Sequence, residues 1–143
     1  MDIKSGNGII LSPNSAENRE PNEEARLKQV HVFISTGRFH SFAEMRFFID
    51  QRYTDDGDGV PSAFMREIEL TNYEPGCIEA FHAAGPEPLV NLLSRGSYAD
   101  QWLAGLDVSR TADSAICVFA PNQLRQPHRS SLEYLGSFNY QVQ

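Results

Sequence analysis

The chain has 143 residues, 41% of them apolar, and a formal net charge of −7, which is the size of one domain with material for one hydrophobic core. No apolar run approaches the roughly 20 residues of a membrane span, and no secretory leader pattern opens the chain. Two cysteines, Cys77 and Cys117, are too few for a disulfide framework. These features predict a soluble, cytoplasmic protein that keeps both thiols buried as small apolar side chains.

Residues 1–29 are rich in Asn, Ser, Pro, Glu and Gly, with thin and unpatterned apolar content. Such a segment does not offset its ordering entropy by burial, so a flexible N-terminal tail is expected there. Order is expected from Val30, in a single α+β domain over residues 30–143. Val30-His31-Val32-Phe33-Ile34 is β-branched and aromatic and predicts a strand. Ser41 followed three residues later by Glu44 is a capping-box pattern, with Glu44 reaching back to the Ser41 amide. Phe42, Met45, Phe48 and Ile49 then share one stripe of a helix over residues 41–52. Asp, Gly and Pro dominate residues 53–61, which predicts a loop. Pro61-Ser62 starts a second helix carrying Phe64, Met65 and Ile68, ending near Leu70.

A second short strand is expected at Cys77–His82, broken by Gly85-Pro86-Glu87-Pro88. Short helices follow at Leu89–Leu93 and from Tyr98 to about Ser109, the latter turning Trp102, Leu103 and Leu106 to the core. Ala115–Ala120 is continuously apolar, as a central strand covered on both faces is. Residues 121–131 form a polar loop. From Leu132 to Val142 apolar and polar residues alternate, which predicts a strand with one wet face. The last two strands, joined by one loop, suggest a hairpin. The fold class expected is α+β: a small antiparallel or mixed sheet of about four strands, with helices packed mainly on one face.

The charge is uneven. Residues 38–87 hold ten acidic and four basic residues, a balance of −6, and so carry nearly the whole excess. Such a field repels nucleic acid and attracts a basic protein. An EF-hand reading of the acidic loop fails at both ends, where Thr54 and Met65 stand in ligand positions. Scattered histidines lack the clustered spacing of zinc sites. No nucleophile elbow or phosphate loop is present. No metal, no cofactor and no catalytic residue is therefore expected, and a small hydrolase or nucleotide-handling enzyme with an unrecognised carboxylate site is the alternative. The candidate binding residues are the exposed aromatic and acidic positions of this segment: Tyr53, Asp55, Asp56, Asp58, Glu67, Glu69, Glu74 and Glu79.

Several short motifs resemble the immunity protein 22 family. They are the strand Val30–Ile34, the helix after Ser41-Phe42, Tyr53 with its acidic loop and Pro61-Ser62-Ala63-Phe64. They continue with Tyr73-Glu74-Pro75, the strand with Ile78-Glu79 and the terminal Tyr134-Leu135-Gly136-Ser137-Phe138-Asn139-Tyr140. The resemblance spans residues 30–142, and residues 83–113 match only as a helical region. It implies an immunity protein, an antitoxin of bacterial competition that binds and neutralises a cognate toxin. With the charge pattern, the expected partner is a toxin domain with a basic surface, with no nucleic acid and no membrane involved. The sequence sets no oligomeric state.

Overall fold

Secondary structure in the computed structural model, which describes residues 27–107 and 109–142, runs in chain order as β1 (Leu27–Ser35), α1 (Phe42–Ile49), β2 (Arg52–Tyr53), β3 (Gly59–Val60), α2 (Ala63–Ile68), β4 (Ile78–Pro88), α3 (Leu89–Leu92), α4 (Ala99–Trp102), β5 (Thr111–Phe119) and β6 (Glu133–Gln141). Single 3-10 turns at Pro75–Cys77, Leu103–Gly105 and Pro127–Arg129 complete it. Residues 29–140 form one compact unit; of the other, residues 1–28 with 141–143, only 27–28 and 141–142 are described. The tail expected over residues 1–29 thus lies outside the described residues from 1 to 26.

Four strands make a sheet in the order β4-β5-β1-β6, and β2 and β3 form a separate two-stranded ribbon. β1 pairs antiparallel with β5, from Val30 opposite Phe119 to Ser35 opposite Ser114. β4 pairs antiparallel with β5 from Ile78 opposite Val118 to His82 opposite Ser114. After a register shift the pairing resumes with Glu87 opposite Ala112 and Pro88 opposite Thr111. The α+β class and the four-strand count match expectation.

The C-terminal hairpin does not form. β1 lies between β5 and β6, and the connection 120–132 is far longer than the roughly two to five residues of hairpin loops. The physical reason is burial. Val30, Val32, Phe33 and Ile34 are all buried, so β1 presents apolar side chains on both faces and gains most from an interior position. β6, with one wet face, suits the edge. The other edge is β4, which continues through Gly85-Pro86-Glu87-Pro88 where a break was expected. Proline lacks the ladder donor, and an edge strand tolerates that loss.

Phe33, Ile78, Ile116 and Val118 of the sheet meet Met45 and Ile49 of α1 and Phe64 and Ile68 of α2 in one cluster. Phe33 contacts Phe64 edge-on, with ring centroids 5.1 Å apart. Each such side chain contributes about 1.5–3 kcal/mol on burial. Phe119 follows Val118 and so faces the other side of the sheet. There it packs against Trp102 (6.3 Å) and Tyr140 (5.4 Å), and Tyr140 stacks on Tyr98. Helical segments therefore cover both faces.

Both helix starts are local events. Ser41 Oγ accepts from the Glu44 amide (3.0 Å), and Ser62 Oγ accepts from the Met65 amide (3.1 Å). Glu44 reaches back to the amide of His40, at 2.6 Å, rather than to that of Ser41. On the expected stripe, Met45 and Ile49 are buried, Phe48 is half-buried and Phe42 is 52% exposed. Phe42 sits at the first helical position, where its Cβ points back beyond the helix and away from the core. The helix expected to reach about Ser109 stops at Trp102 and passes into the 3-10 turn. At Gly105 the backbone closes on Phe138, whose ring a Cβ would meet at 3.1 Å. Cys117 is buried, whereas Cys77 is only partly so, because Cys77 ends a 3-10 turn before the strand begins. Among the described residues no helix is long and apolar enough to cross a membrane.

Candidate functional site

The loop expected at residues 53–61 is a short ribbon. α1 ends at Ile49 with Asp50 as its C-cap, and the Gln51 amide donates to the Tyr73 hydroxyl (3.1 Å). Arg52 then pairs with Val60 and Tyr53 with Gly59. Across the tip, the Thr54 amide donates to the Asp58 carbonyl (2.9 Å), the Gly57 amide to the Thr54 carbonyl (2.9 Å) and the Asp58 amide to Thr54 Oγ1 (3.1 Å). Gly57 has φ +89° with open space around it, so backbone conformation alone requires glycine there. The tip is closed by its own backbone, and the carboxylates take no part in holding it.

Those carboxylates belong to Asp55, Asp56 and Asp58, all exposed. Among the described residues they form none of the side-chain hydrogen bonds or ion pairs. Tyr53 beside them is 63% exposed. The ribbon thus presents an aromatic ring and three carboxylates, free among the described residues, on a hydrogen-bonded turn. The two EF-hand end positions are otherwise engaged: Thr54 Oγ1 holds the Asp58 amide, and Met65 is buried in α2.

The other four predicted residues are engaged within the chain. Glu67 accepts from the Ser131 amide (2.8 Å) and hydroxyl (2.9 Å). Glu69 pairs with Arg129 at 3.0 Å. Together they moor the 121–131 loop to α2, alongside the bridge between Leu70 and Leu124. Glu74 accepts from the Gly76 amide (3.3 Å), and its backbone is held at both ends by Asn122. Glu79 accepts from the Ser97 amide (3.0 Å) and the Ser97 hydroxyl. Tyr53, Asp55, Asp56 and Asp58 are brought together on the ribbon, whereas the glutamates are distributed over α2, the Glu74 turn and β4.

Two arrangements were missed in the sequence. Phe47 is 67% exposed, with the Arg52 guanidinium 4.6 Å from its ring centre. Its signal was available: it falls off the stripe of Met45 and Ile49. The second is a polar row that the strand register assembles. Ser35 and His82 both lie opposite Ser114, on either side of it. Ser114 Oγ donates to Asp113 (2.9 Å) and lies 3.1 Å from His82 Nδ1. Asp113 also accepts from the Gly37 amide (2.9 Å). A nucleophilic triad needs histidine between serine and acid. Here the serine is in the middle, 1% exposed, with its proton directed to Asp113. The row therefore lacks the order of a nucleophilic triad, and the buried Ser35 hydroxyl at its other end has no hydrogen-bond partner among the described residues.

Burial depresses the His31 pKa; its Nδ1 lies 2.8 Å from the Tyr134 hydroxyl. Burial raises both thiols above their ordinary range, Cys117 most strongly, so neither has the stabilised thiolate of a reactive cysteine. Among the described residues no three His, Cys, Asp or Glu side chains are grouped as for a metal ion.

A family model for Immunity protein 22 matches residues 30–141. No curated protein and no solved structure matches the chain.

Proposed function

The chain belongs to the Immunity protein 22 family, and from that premise we propose that it is a cytoplasmic antitoxin that neutralises a cognate bacterial toxin by binding it, with the β2–β3 ribbon as a principal contact. The observation that supports this reading is the ribbon itself, where Tyr53 and the unpaired carboxylates of Asp55, Asp56 and Asp58 stand exposed on a closed turn. An exposed aromatic offers an anchor that buries large area on contact. Free carboxylates draw in a basic surface, such as one shaped to hold a nucleic-acid substrate. Glu67, Glu69, Glu74 and Glu79 add to the acidic segment but are engaged by Ser131, Arg129, Gly76 and Ser97, away from the ribbon. Inhibition then follows from occupancy of the toxin and requires no turnover.

Exposed charges add only about 0–1 kcal/mol each through static pairing. Their main effect is on association, and salt screens it. Co-expression with the toxin domain encoded beside the gene should restore growth. With the purified pair, Asp55→Asn, Asp56→Asn and Asp58→Asn combined should slow association and flatten its salt dependence, with a smaller change in dissociation. Tyr53→Ala should instead speed dissociation. Failure of the wild-type chain to protect would refute the antitoxin reading. Full protection with unchanged association in the triple variant would move the contact away from the ribbon.

A further inference from the structure

At the foot of the ribbon lies a pocket of about 260 Å³ with an arginine-rich wall. Arg38 from the turn after β1, Arg52 from β2 and Arg66 from α2 line it together with Phe39, Phe47 and Phe48. The guanidinium of Arg38 sits 5.3 Å from the Phe39 ring centre and 4.7 Å from that of Phe48, and Arg52 sits 4.6 Å from that of Phe47. Arg66 Nη1 donates to the Pro61 carbonyl (2.6 Å) and Arg38 Nη1 to Ser131 Oγ (2.8 Å). All three arginines are exposed.

Among the described residues none of the three is in an ion pair, while Arg46, Arg110 and Arg129 each are. Arg38, Arg52 and Arg66 all belong to the segment of residues 38–87, which holds ten acidic residues. The one carboxylate lining the pocket, Glu44, is turned to His40, accepting its amide (2.6 Å) and lying 3.3 Å from its Nδ1. The backbone hydrogen bond from His40 holds the Glu44 carboxyl below its ordinary range. Three cations are thus kept side by side, oriented by rings and backbone, with forked donors left to spare.

We propose that this pocket receives carboxylate side chains of an acidic segment on the bound protein. A guanidinium on an aromatic face keeps its planar edge free for two parallel bonds to one carboxylate. The pocket is smaller than the roughly 300–1,000 Å³ of small-molecule sites, which suits a side-chain-sized group. The surface is then bipolar: Arg52 lines the pocket while Asp55, Asp56 and Asp58 follow it on the same ribbon. A partner must offer a basic patch and an acidic knob in matching order, and a merely basic protein is rejected by unpaired arginines. That the knob belongs to a toxin rests on the antitoxin reading; the pocket's preference for carboxylate does not.

Arginine Nε–Hε resonances of the whole chain report on the pocket directly. Titration with N-acetyl-tetraglutamate amide should shift the signals of Arg38, Arg52 and Arg66 and leave those of Arg110 and Arg129 in place. Arg52→Gln with Arg66→Gln should weaken that binding about tenfold, equivalent to about 1.4 kcal/mol. Arg52→Lys, which keeps the charge and loses the fork, should weaken it by less. A tetralysine peptide should leave the three signals unmoved. The proposal is overturned if the glutamate peptide moves none of them, if it moves all arginines alike, or if inorganic phosphate or a single-stranded oligonucleotide binds there more tightly. No toxin enters this titration, so its failure is separate from a failure to protect cells.

Discussion

Ser62→Ala should destabilise the protein far more than the loss of one hydroxyl suggests. Ser62 is fully buried, at 0% exposure, and its Oγ works in two directions. It accepts from the Met65 amide (3.1 Å), which caps α2, and donates to the Ile49 carbonyl (2.7 Å) at the end of α1. Removing an N-cap costs about 0.5–2 kcal/mol. Leaving a buried carbonyl unpaired adds about 1–3 kcal/mol. The sum, about 1.5–5 kcal/mol, is a large share of a typical total of roughly 5–15 kcal/mol. The stake is functional, because the β2–β3 ribbon projects from the segment between these two helices. Urea unfolding should show the midpoint falling by about 1–2 M with an unchanged slope. Ser62→Gly should fall between wild type and Ser62→Ala, since glycine is a tolerable cap but cannot donate to Ile49. A loss below about 0.5 kcal/mol for Ser62→Ala would refute the claim that this hydroxyl ties the two helices together.

Two further outcomes follow from the packing and the protonation chemistry. Phe119→Ala should cost about 3–5 kcal/mol, because Phe119 is 4% exposed between Trp102 and Tyr140. Phe48→Ala should cost less, since Phe48 is half-buried; equal losses by calorimetry would contradict the difference in burial. For His31 the folded-state pKa is depressed by burial from 6.5. The unfolded chain then binds the proton first, so stability is full above about pH 6.5 and declines as the pH falls from there through the folded value. His31→Phe should flatten that slope between pH 7 and 5, and an unchanged slope would assign it to other groups.

Much of the fold was legible because its signals are local. Ser41 and Ser62 cap their helices through bonds spanning three residues, and the Ala115–Phe119 run needs only its own composition to announce a central strand. The exposed turn of Asp55, Asp56 and Asp58 was legible for the same reason, since bonds from Thr54 to Gly57 and Asp58, within five residues, close it. Elsewhere the tertiary structure decided. The place of β1 between β5 and β6 depends on how much apolar area each strand can bury against neighbours distant in sequence. The roles of Glu67 and Glu79 depend on Ser131 and Ser97 arriving from other elements. Phe42 lies on the same sequence stripe as Met45 and Ile49, and only the packing of α1 on the sheet turned it outward. The convergence of Arg38, Arg52 and Arg66 had no sequence signal, because three residues on three elements share a pocket only once those elements have packed together. Chain-local hydrogen bonding and composition determine which elements form; their order, their buried faces and the charges left unpaired are settled by long-range burial.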